Sequence, residues 1–316
     1  MFNRIFIGAC VATALFATPV MALTVRPATV AEGAAIASAN DEVVRAWTPA
    51  DINVRTQGGA SRENLRRRYA AGVEAWSAGD RARLTAMLAR HQAQLNSIAR
   101  WLPREVLLIR NSDAIEGGLP HTRANAILFG DHLPAQDAAL DSLFMHELWH
   151  VLSRHNASRH DQLYALIGFQ PCRRVTLPAS LRARLLTNPD APITRWGVPS
   201  AAQGANVLIA PLLLAEPAVY DAHHPQFTHY LGLRYIGLRR AADGSCTPFQ
   251  AVPFIDPDAA VAAIYAVAGH NTEYTLHPEE LLADNFEQLM MAKPNVPDPQ
   301  VQARLAAWLG ITPPTR

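Results

Sequence analysis

The chain has little charge imbalance, few cysteines and almost no lysine. Its 28 basic residues nearly balance 27 acidic residues, and Lys293 is the only lysine. Proteins that bind nucleic acid or an anionic membrane usually carry an excess of positive charge, which this chain lacks. Internal repeats and low-complexity tracts are also absent from the sequence. These absences predict a globular protein whose main partner is neither nucleic acid nor a membrane, and they leave its oligomeric state open.

Long apolar runs are lacking everywhere except at the N-terminus. Arg4 precedes an apolar stretch over residues 5–19, and residues 20–22 end in a small side chain. A basic residue, a short apolar segment and a small residue are typical of a secretory signal peptide, and the apolar segment is short for a membrane span. We predict that residues 1–22 are a signal peptide. The protein would then be exported, either periplasmic or secreted, with no stable membrane association after cleavage.

The chain has only three cysteines, of which Cys10 would leave with the signal peptide. Cys172 and Cys246 remain. Two cysteines in an exported protein most simply form one disulfide, and two thiols are too few for a metal site made of cysteine alone. The sequence therefore predicts a disulfide between Cys172 and Cys246.

What the sequence does contain is the segment His146-Glu147-Leu148-Trp149-His150. Apolar residues at helical spacing surround it, which predicts a core helix over residues 138–154. Two histidines four residues apart lie one turn apart on the same face of a helix, so both rings can reach one metal ion. The intervening glutamate can then act as the general base for water activated by that metal, as in zinc metallopeptidases.

A catalytic zinc usually takes three protein ligands, so one is still missing. The elongated metzincin pattern requires a glycine and a histidine where this chain has Ser153 and Asn156. Further along, Glu280 and Asp284 lie one helical turn apart in a segment that begins with Pro278. Together with the histidine motif, this E-x-x-A-D arrangement resembles that of gluzincin metallopeptidases, thermolysin-like in broad type. The resemblance covers two short motifs, and their separation is far longer than in the thermolysin type.

The resemblance implies that one zinc ion per chain is bound by His146, His150 and Glu280. Asp284 would accept the second ring N–H of His146, and Glu147 would be the catalytic base. Glu279 is the rival third ligand, because its position differs by one residue. A further donor would stabilise the oxyanion, and the sequence does not choose among the candidates Tyr220, His223, His224, His229, Tyr230 and Tyr274. The substrate would be a peptide or protein.

An edge strand before the metal helix pairs with substrate in the zincin class. By position, residues 121–127 would be that strand, with backbone pairing providing affinity.

Two other functions fit the same residues. One is a binding protein that keeps a zincin scaffold without turnover. The other is a metal-dependent amidase that acts on a cell-wall amide. Natural substrate and cleavage specificity cannot be read from these motifs.

The fold class predicted is α+β, with a zincin-like arrangement of two lobes. Residues 23–60 would be an N-terminal extension or a short pro-segment. Residues 61–170 would form the first lobe, with the metal-binding helix against a small mixed sheet. Residues 171–316 would form the second lobe, with β-structure over residues 227–255 and the helix that carries the third ligand.

Overall fold

The computed structural model describes residues 23–59, 61–251 and 253–313, so the predicted signal peptide lies outside the described residues. The fold is mixed α+β, which confirms the predicted class. Five strands form the first sheet: β1 Thr24–Pro27, β2 Val73–Glu74, β3 Glu105–Asn111, β4 His121–Arg123 and β5 Ala126–Leu128. Its order is β1-β3-β5-β4, with β2 paired to β3. β1 and β5 run parallel to β3, so the sheet is mixed.

Residues 23–59 contribute a strand and three helices to the fold, and the assignment of residues 23–60 as an extension or short pro-segment stays a prediction. β1 lies at the edge of the first sheet and pairs with β3 from Thr24 to Pro27. Three short helices follow, and Trp47 at the end of the second is buried against Tyr69. The helices of the N-terminal half are α1 Val30–Ala37, α2 Glu42–Ala46, α3 Pro49–Arg55, α4 Arg62–Ala71, α5 Ala78–Arg90 and α6 Gln92–Ile98. Because this segment supplies a strand and part of a core, its removal would expose the apolar surface beneath it.

A long buried helix, α7 (Asp137–His155), follows the first sheet directly. Apolar side chains cover most of its circumference, so both the sheet and later helices can pack on it. The chain then forms α8 (His160–Ala165) and α9 (Ala179–Arg182). Between α9 and the next strand it runs through a proline-rich loop over residues 183–195.

The second sheet has the order β6-β8-β9-β10-β11-β7, with β12 paired to β10. Its strands are β6 Gln170–Pro171, β7 Arg174–Val175, β8 Trp196–Pro199, β9 Val207–Ala215, β10 Leu231–Arg240, β11 Ser245–Pro248 and β12 Phe254–Ile255. The β-structure predicted over residues 227–255 is present from residue 231 onward. Cys172 and Cys246 form the predicted disulfide, with Cα atoms 5.7 Å apart, and it lies buried beside this sheet.

The described part of the chain after β12 contains three α-helices: α10 Pro257–Ala268, α11 Pro278–Met290 and α12 Pro299–Leu309. α11 packs along α7, and both belong to one hydrophobic cluster that also includes Val198 and Ile209 of the second sheet. This cluster therefore includes residues on both sides of residue 170, and the division into two lobes stays a prediction. Among the described residues, no helix is both long enough and apolar enough to cross a membrane.

Candidate metal centre

The centre begins with the buried face of α7. His146, Glu147 and His150 lie in the second half of this helix, where His150 is 1% exposed and Glu147 is 3% exposed. The neighbouring Leu148, Val151 and Leu152 pack into the core and hold the helix in place. Because residues four apart lie on one face, the rings of His146 and His150 stand side by side, with centroids 4.9 Å apart.

α11 brings the downstream motif against this face. His146 contacts Asp284 and His150 contacts Glu279, so the two helices run antiparallel. His277 caps the N-terminus of α11 by accepting the N–H of Glu279 at 3.1 Å, and Pro278 begins its first turn. The first turn thus places Glu280 between the two histidines, where its carboxylate is almost fully buried.

Three ligand-type atoms converge at this point. The Oε2 atom of Glu280 lies 3.3 Å from Nε2 of His146 and 3.3 Å from Nε2 of His150. Zinc binds nitrogen and oxygen at about 2.0–2.2 Å, so two such ligands at a tetrahedral angle are roughly 3.3–3.5 Å apart. The separations found therefore fit the ligands of one small cation.

Both histidines are oriented by a carboxylate on the opposite side of the ring. Nδ1–H of His146 donates to Oδ1 of Asp284 at 2.8 Å, which is the contact predicted for Asp284. Nδ1–H of His150 donates to Oε1 of Glu279 at 3.0 Å. These bonds occupy Nδ1 of each ring, so that Nε2 is the nitrogen that faces Glu280. Glu279, the rival third ligand, therefore lies behind His150 and faces away from the convergence point.

Glu279 is itself held by two hydroxyl groups. Ser153 Oγ and Tyr164 OH each donate to its Oε2 atom at 2.7 Å. Burial alone would raise the pKa of Glu279, but the hydrogen bond and charge of His150, the charge of His160 and the hydrogen bond of Tyr164 together lower that pKa. Glu279 is therefore a fixed negative charge that would stabilise a cation on the far side of the His150 ring.

The charges around His146 favour a cation at the convergence point. Burial alone would lower the pKa of His146, but the carboxylates of Asp284 and Glu280 raise it to about 10. A position where protonation is so strongly favoured is also a position where a metal ion would be stabilised. The described residues contain another group with metal-ligand atoms within 4.8 Å of one another, made of Glu147, His150 and Asp190.

Glu147 lies in the cavity wall with one oxygen unpaired. Its Oε2 atom is buried and has no hydrogen-bond partner among the described residues. Burial and the charge of Asp190 raise the pKa of Glu147 above its usual range. A buried carboxylate without a partner is costly for stability, so its presence points to a chemical role.

The proline-rich loop contributes two polar residues that the sequence did not single out. Asn188 donates from Nδ2 to Oε1 of Glu280 at 2.6 Å, which leaves Oε2 of that carboxylate to face the histidines. Asp190 accepts from the backbone N–H and from Oγ1 of Thr122, at 2.7 and 2.5 Å. Asn-Pro-Asp in a loop predicts only a turn, so no local signal distinguishes these residues.

Tyr274 is the only one of the six candidate oxyanion donors that lines the central cavity in the described part of the chain. Its ring stacks on His146 with centroids 6.3 Å apart. The charge of Glu280, followed by burial, raises the pKa of Tyr274, so its hydroxyl remains a proton donor.

The other five candidates lie elsewhere. Tyr230 is buried, and its hydroxyl donates to the backbone oxygen of His224 at 2.9 Å. His223 and His229 are exposed, and His229 stacks on His224, while Tyr220 stacks on Tyr230. The structure therefore brings Tyr274 to the cavity wall and does not bring the five candidates of the segment 220–230 there.

The edge strand predicted to pair with substrate is shorter than expected and already occupied. Residues 121–127 form β4 and part of β5, joined by a turn, and β4 is the outer strand. At its centre, the N–H of Thr122 donates to Asp190, and its carbonyl accepts from Arg154 at 3.4 Å. A substrate strand cannot form these same hydrogen bonds, so pairing at Thr122 is excluded in this conformation.

A cavity of about 440 Å³ opens onto the centre. Its lining combines polar groups of the centre with the apolar side chains of Leu119, Leu143, Leu213, Phe227 and Leu231. A concave site of this size is typical of a small-molecule or side-chain pocket.

Comparison of the chain with protein-family models, with curated proteins and with solved structures finds no match.

Proposed function

We propose that this protein is an exported zinc-dependent hydrolase that cleaves peptide bonds, with a zincin-like arrangement around the metal. The observation that carries the proposal is the convergence of His146, His150 and Glu280, with Glu147 beside them in the cavity wall. The single disulfide suits an oxidising compartment, which supports export.

Zinc is the metal that suits the donor set best. Two imidazole nitrogens and one carboxylate oxygen are the ligands of a common catalytic zinc site, which keeps a further position open. The carboxylates of Asp284 and Glu279 behind the two rings match the outer partners that orient metal-bound histidines. When bound, zinc would supply the Lewis acidity that activates water for attack at neutral pH.

Each residue around the cavity then has a distinct part. The unpaired oxygen of Glu147 is free to take a proton from the attacking water and to pass it to the leaving amine. Its raised pKa suits this exchange, because a base works best when its pKa lies near the working pH. Tyr274 has a protonated hydroxyl that is well suited to stabilise the oxyanion.

The same unpaired oxygen argues against a binding protein that merely keeps the scaffold. A buried acceptor without a partner costs about 1–3 kcal/mol. A protein without turnover would gain stability by replacing Glu147 with a neutral or apolar residue. Its retention next to the two histidines favours catalysis.

The proposal is tested with the mature protein and its Glu147→Gln variant. We expect about one zinc per chain in both, since Glu147 is not a ligand. We also expect cleavage of a mixed peptide pool to fall by at least about 1,000-fold in the variant, which lacks the base. The readouts are zinc content by atomic absorption and new N-termini by mass spectrometry. Wild-type rates in the variant, or no bound zinc in either protein, would contradict the proposal.

A further inference from the structure

Asp190 is a carboxylate in the cavity without an ion-pair partner within 4.0 Å among the described residues. The arginine and the lysine that line this cavity are each already paired, Arg55 with Glu116 at 2.9 Å and Lys293 with Glu287 at 2.8 Å. Among the described residues, no arginine, lysine or histidine nitrogen lies within 4.0 Å of Asp190. Its hydrogen-bond donors belong to Thr122 alone, and both reach Oδ1.

A buried carboxylate beside Asp190 has one oxygen without a hydrogen-bond partner. Glu147 is 3% exposed, lines the same cavity and has an Oε2 atom with no hydrogen bond among the described groups. The carboxylates of Glu147 and Asp190 lie within 4.8 Å of each other. Two carboxylates so close together repel each other when both are ionised, and a cation beside them would reduce this repulsion.

The proposed zinc ligands do not include Asp190 or Glu147. Asp190 joins a group with Glu147 and His150, whereas the convergence point consists of His146, His150 and Glu280. A cation bound by Asp190 would therefore occupy a position in the cavity distinct from the convergence point. Since this position is in the cavity, a substrate can supply the cation.

The loop holds Asp190 firmly enough for recognition. Its carboxylate is anchored by Thr122, and Arg154 donates to the Pro189 carbonyl at 2.8 Å. The backbone N–H of Asp190 donates to the Asn188 side chain at 3.0 Å. The same carboxylate occupies the edge of β4, so an extended chain cannot continue along that strand. The substrate therefore meets a fixed negative charge where strand pairing would otherwise begin.

We propose that Asp190 binds a positively charged group of the substrate, an ammonium or a guanidinium, beside the bond that is cleaved. This inference rests on the proposed hydrolase function. Because Glu147 acts at the scissile carbonyl and Asp190 is its neighbour, the cation belongs within about one residue of that carbonyl, a span of roughly 3.8 Å between α-carbons. Either a free α-amino group or a basic side chain meets this requirement.

Three amides of 7-amino-4-methylcoumarin distinguish these sources. The leucyl amide carries only an α-ammonium, the N-acetyl-arginyl amide only a guanidinium, and the N-acetyl-leucyl amide no cation. We expect zinc-loaded wild type to cleave one of the two cationic amides with a kcat/KM about 10- to 100-fold above that of the neutral amide, as for one charge-assisted hydrogen bond. The preferred amide identifies the source.

Asp190→Asn removes the charge but keeps an oxygen that can accept from Thr122. We expect this variant to lose the preference, measured as the ratio of kcat/KM for the cationic amide to kcat/KM for the neutral amide. Asp131→Asn is the matched control, because Asp131 is a half-exposed loop aspartate that is absent from the cavity wall. Equal wild-type rates on all three amides would overturn the inference, as would an equal loss on all three in Asp190→Asn.

A binding measurement separates this inference from the hydrolase proposal. Calorimetric titration of zinc-loaded Glu147→Gln with leucinamide, N-acetyl-argininamide and N-acetyl-leucinamide needs no turnover. Tighter binding of a cationic amide that is lost on adding Asp190→Asn supports the inference, even if no amide is ever cleaved. Equal or undetectable binding of all three contradicts it, whether or not the protein proves to be a hydrolase.

Discussion

Two clusters of buried charge line the same cavity, and only one of them has all its hydrogen bonds. In the Arg55 cluster, made of Asp51, Arg55, Tyr69 and Glu116, every carboxylate oxygen accepts at least one hydrogen bond. In the metal centre, Glu147 has an unpaired oxygen and Asp190 has no cation partner among the described residues. Both clusters are buried, so burial does not distinguish them.

The difference shows what each cluster is suited to do. A fully bonded buried network fixes the elements that carry it, since any displacement breaks several bonds at once. Arg55 donates to the Thr187 carbonyl at 2.7 Å, so this cluster also fixes the start of the loop that carries Asn188 and Asp190. A buried network with unpaired polar atoms lowers the stability of the folded protein. Its unpaired atoms are available to bind or react with a ligand that enters the cavity. The first cluster therefore supports the geometry of the second.

The largest effect is expected from removing a ligand. Glu280→Ala leaves only two histidines at the convergence point, and we expect the bound zinc to be lost on dialysis. Glu279→Gln is the matched control, because it changes the carboxylate behind His150 and not the one facing it. We expect the control to retain zinc with an affinity about 10- to 100-fold lower. Competition with a chromogenic chelator measures both, and equal losses in the two variants would make Glu279 the ligand.

Breaking the complete cluster should affect stability and not metal content. Arg55→Met leaves Asp51 and Glu116 buried without their cation, which we expect to cost about 3–5 kcal/mol of unfolding free energy. Arg45→Met, at an exposed arginine, should change it by less than about 0.5 kcal/mol. Denaturant unfolding of the metal-free proteins measures both, and zinc stoichiometry should stay at one per chain. A loss below 1 kcal/mol in Arg55→Met would show that the cluster is not a stabilising unit.

A smaller effect is expected from pH at the cap of α11. Burial lowers the pKa of His277 to about 4, below its value of about 6.5 in the unfolded chain. Its contribution to stability is therefore complete above pH 6.5 and is lost as the pH falls toward 4, by about 3 kcal/mol in total. His277→Asn keeps an acceptor for the Glu279 N–H but does not titrate.

The measurement is the unfolding free energy of wild type and His277→Asn between pH 7 and 4. We expect the wild type to lose more stability than the variant across this interval, because other acid-sensitive groups are common to both. Parallel curves would mean that His277 is not buried in its neutral form.

The helices that carry the centre could be predicted from the sequence, because the patterns that indicate them lie within short segments of the chain. His146 and His150 lie four residues apart within an apolar pattern, and Glu280 and Asp284 repeat that spacing after Pro278. Spacing and pattern are sufficient to place side chains on one face of a helix. The disulfide followed from the cysteine count alone.

The conformation of the loop over residues 183–195 and the hydrogen bonding at the edge of β4 could not be predicted from the sequence. Residues 183–195 have no periodicity, and their conformation depends on bonds to distant residues such as Asp51, Thr122 and Arg154. β9 contains Pro211 at a position paired with Tyr235, which the pattern alone argued against. The N-terminal segment had no strong helical pattern, yet β1 pairs with a strand about eighty residues later in the chain.

By itself, the sequence determined which residues share a face of each helix, because the spacing of two residues along a helix fixes the angle between their side chains around its axis. It identified the two histidines, the glutamate between them and the downstream pair of carboxylates as candidate site residues. Only the tertiary structure decided that Glu280 faces the rings while Glu279 stands behind one of them. It also decided that Asp190 closes the edge of β4 and remains without a cation among the described residues. These outcomes depend on how α7, α11 and the loop over residues 183–195 pack together. Hydrogen bonds between residues far apart in the chain cannot be predicted from a local sequence pattern.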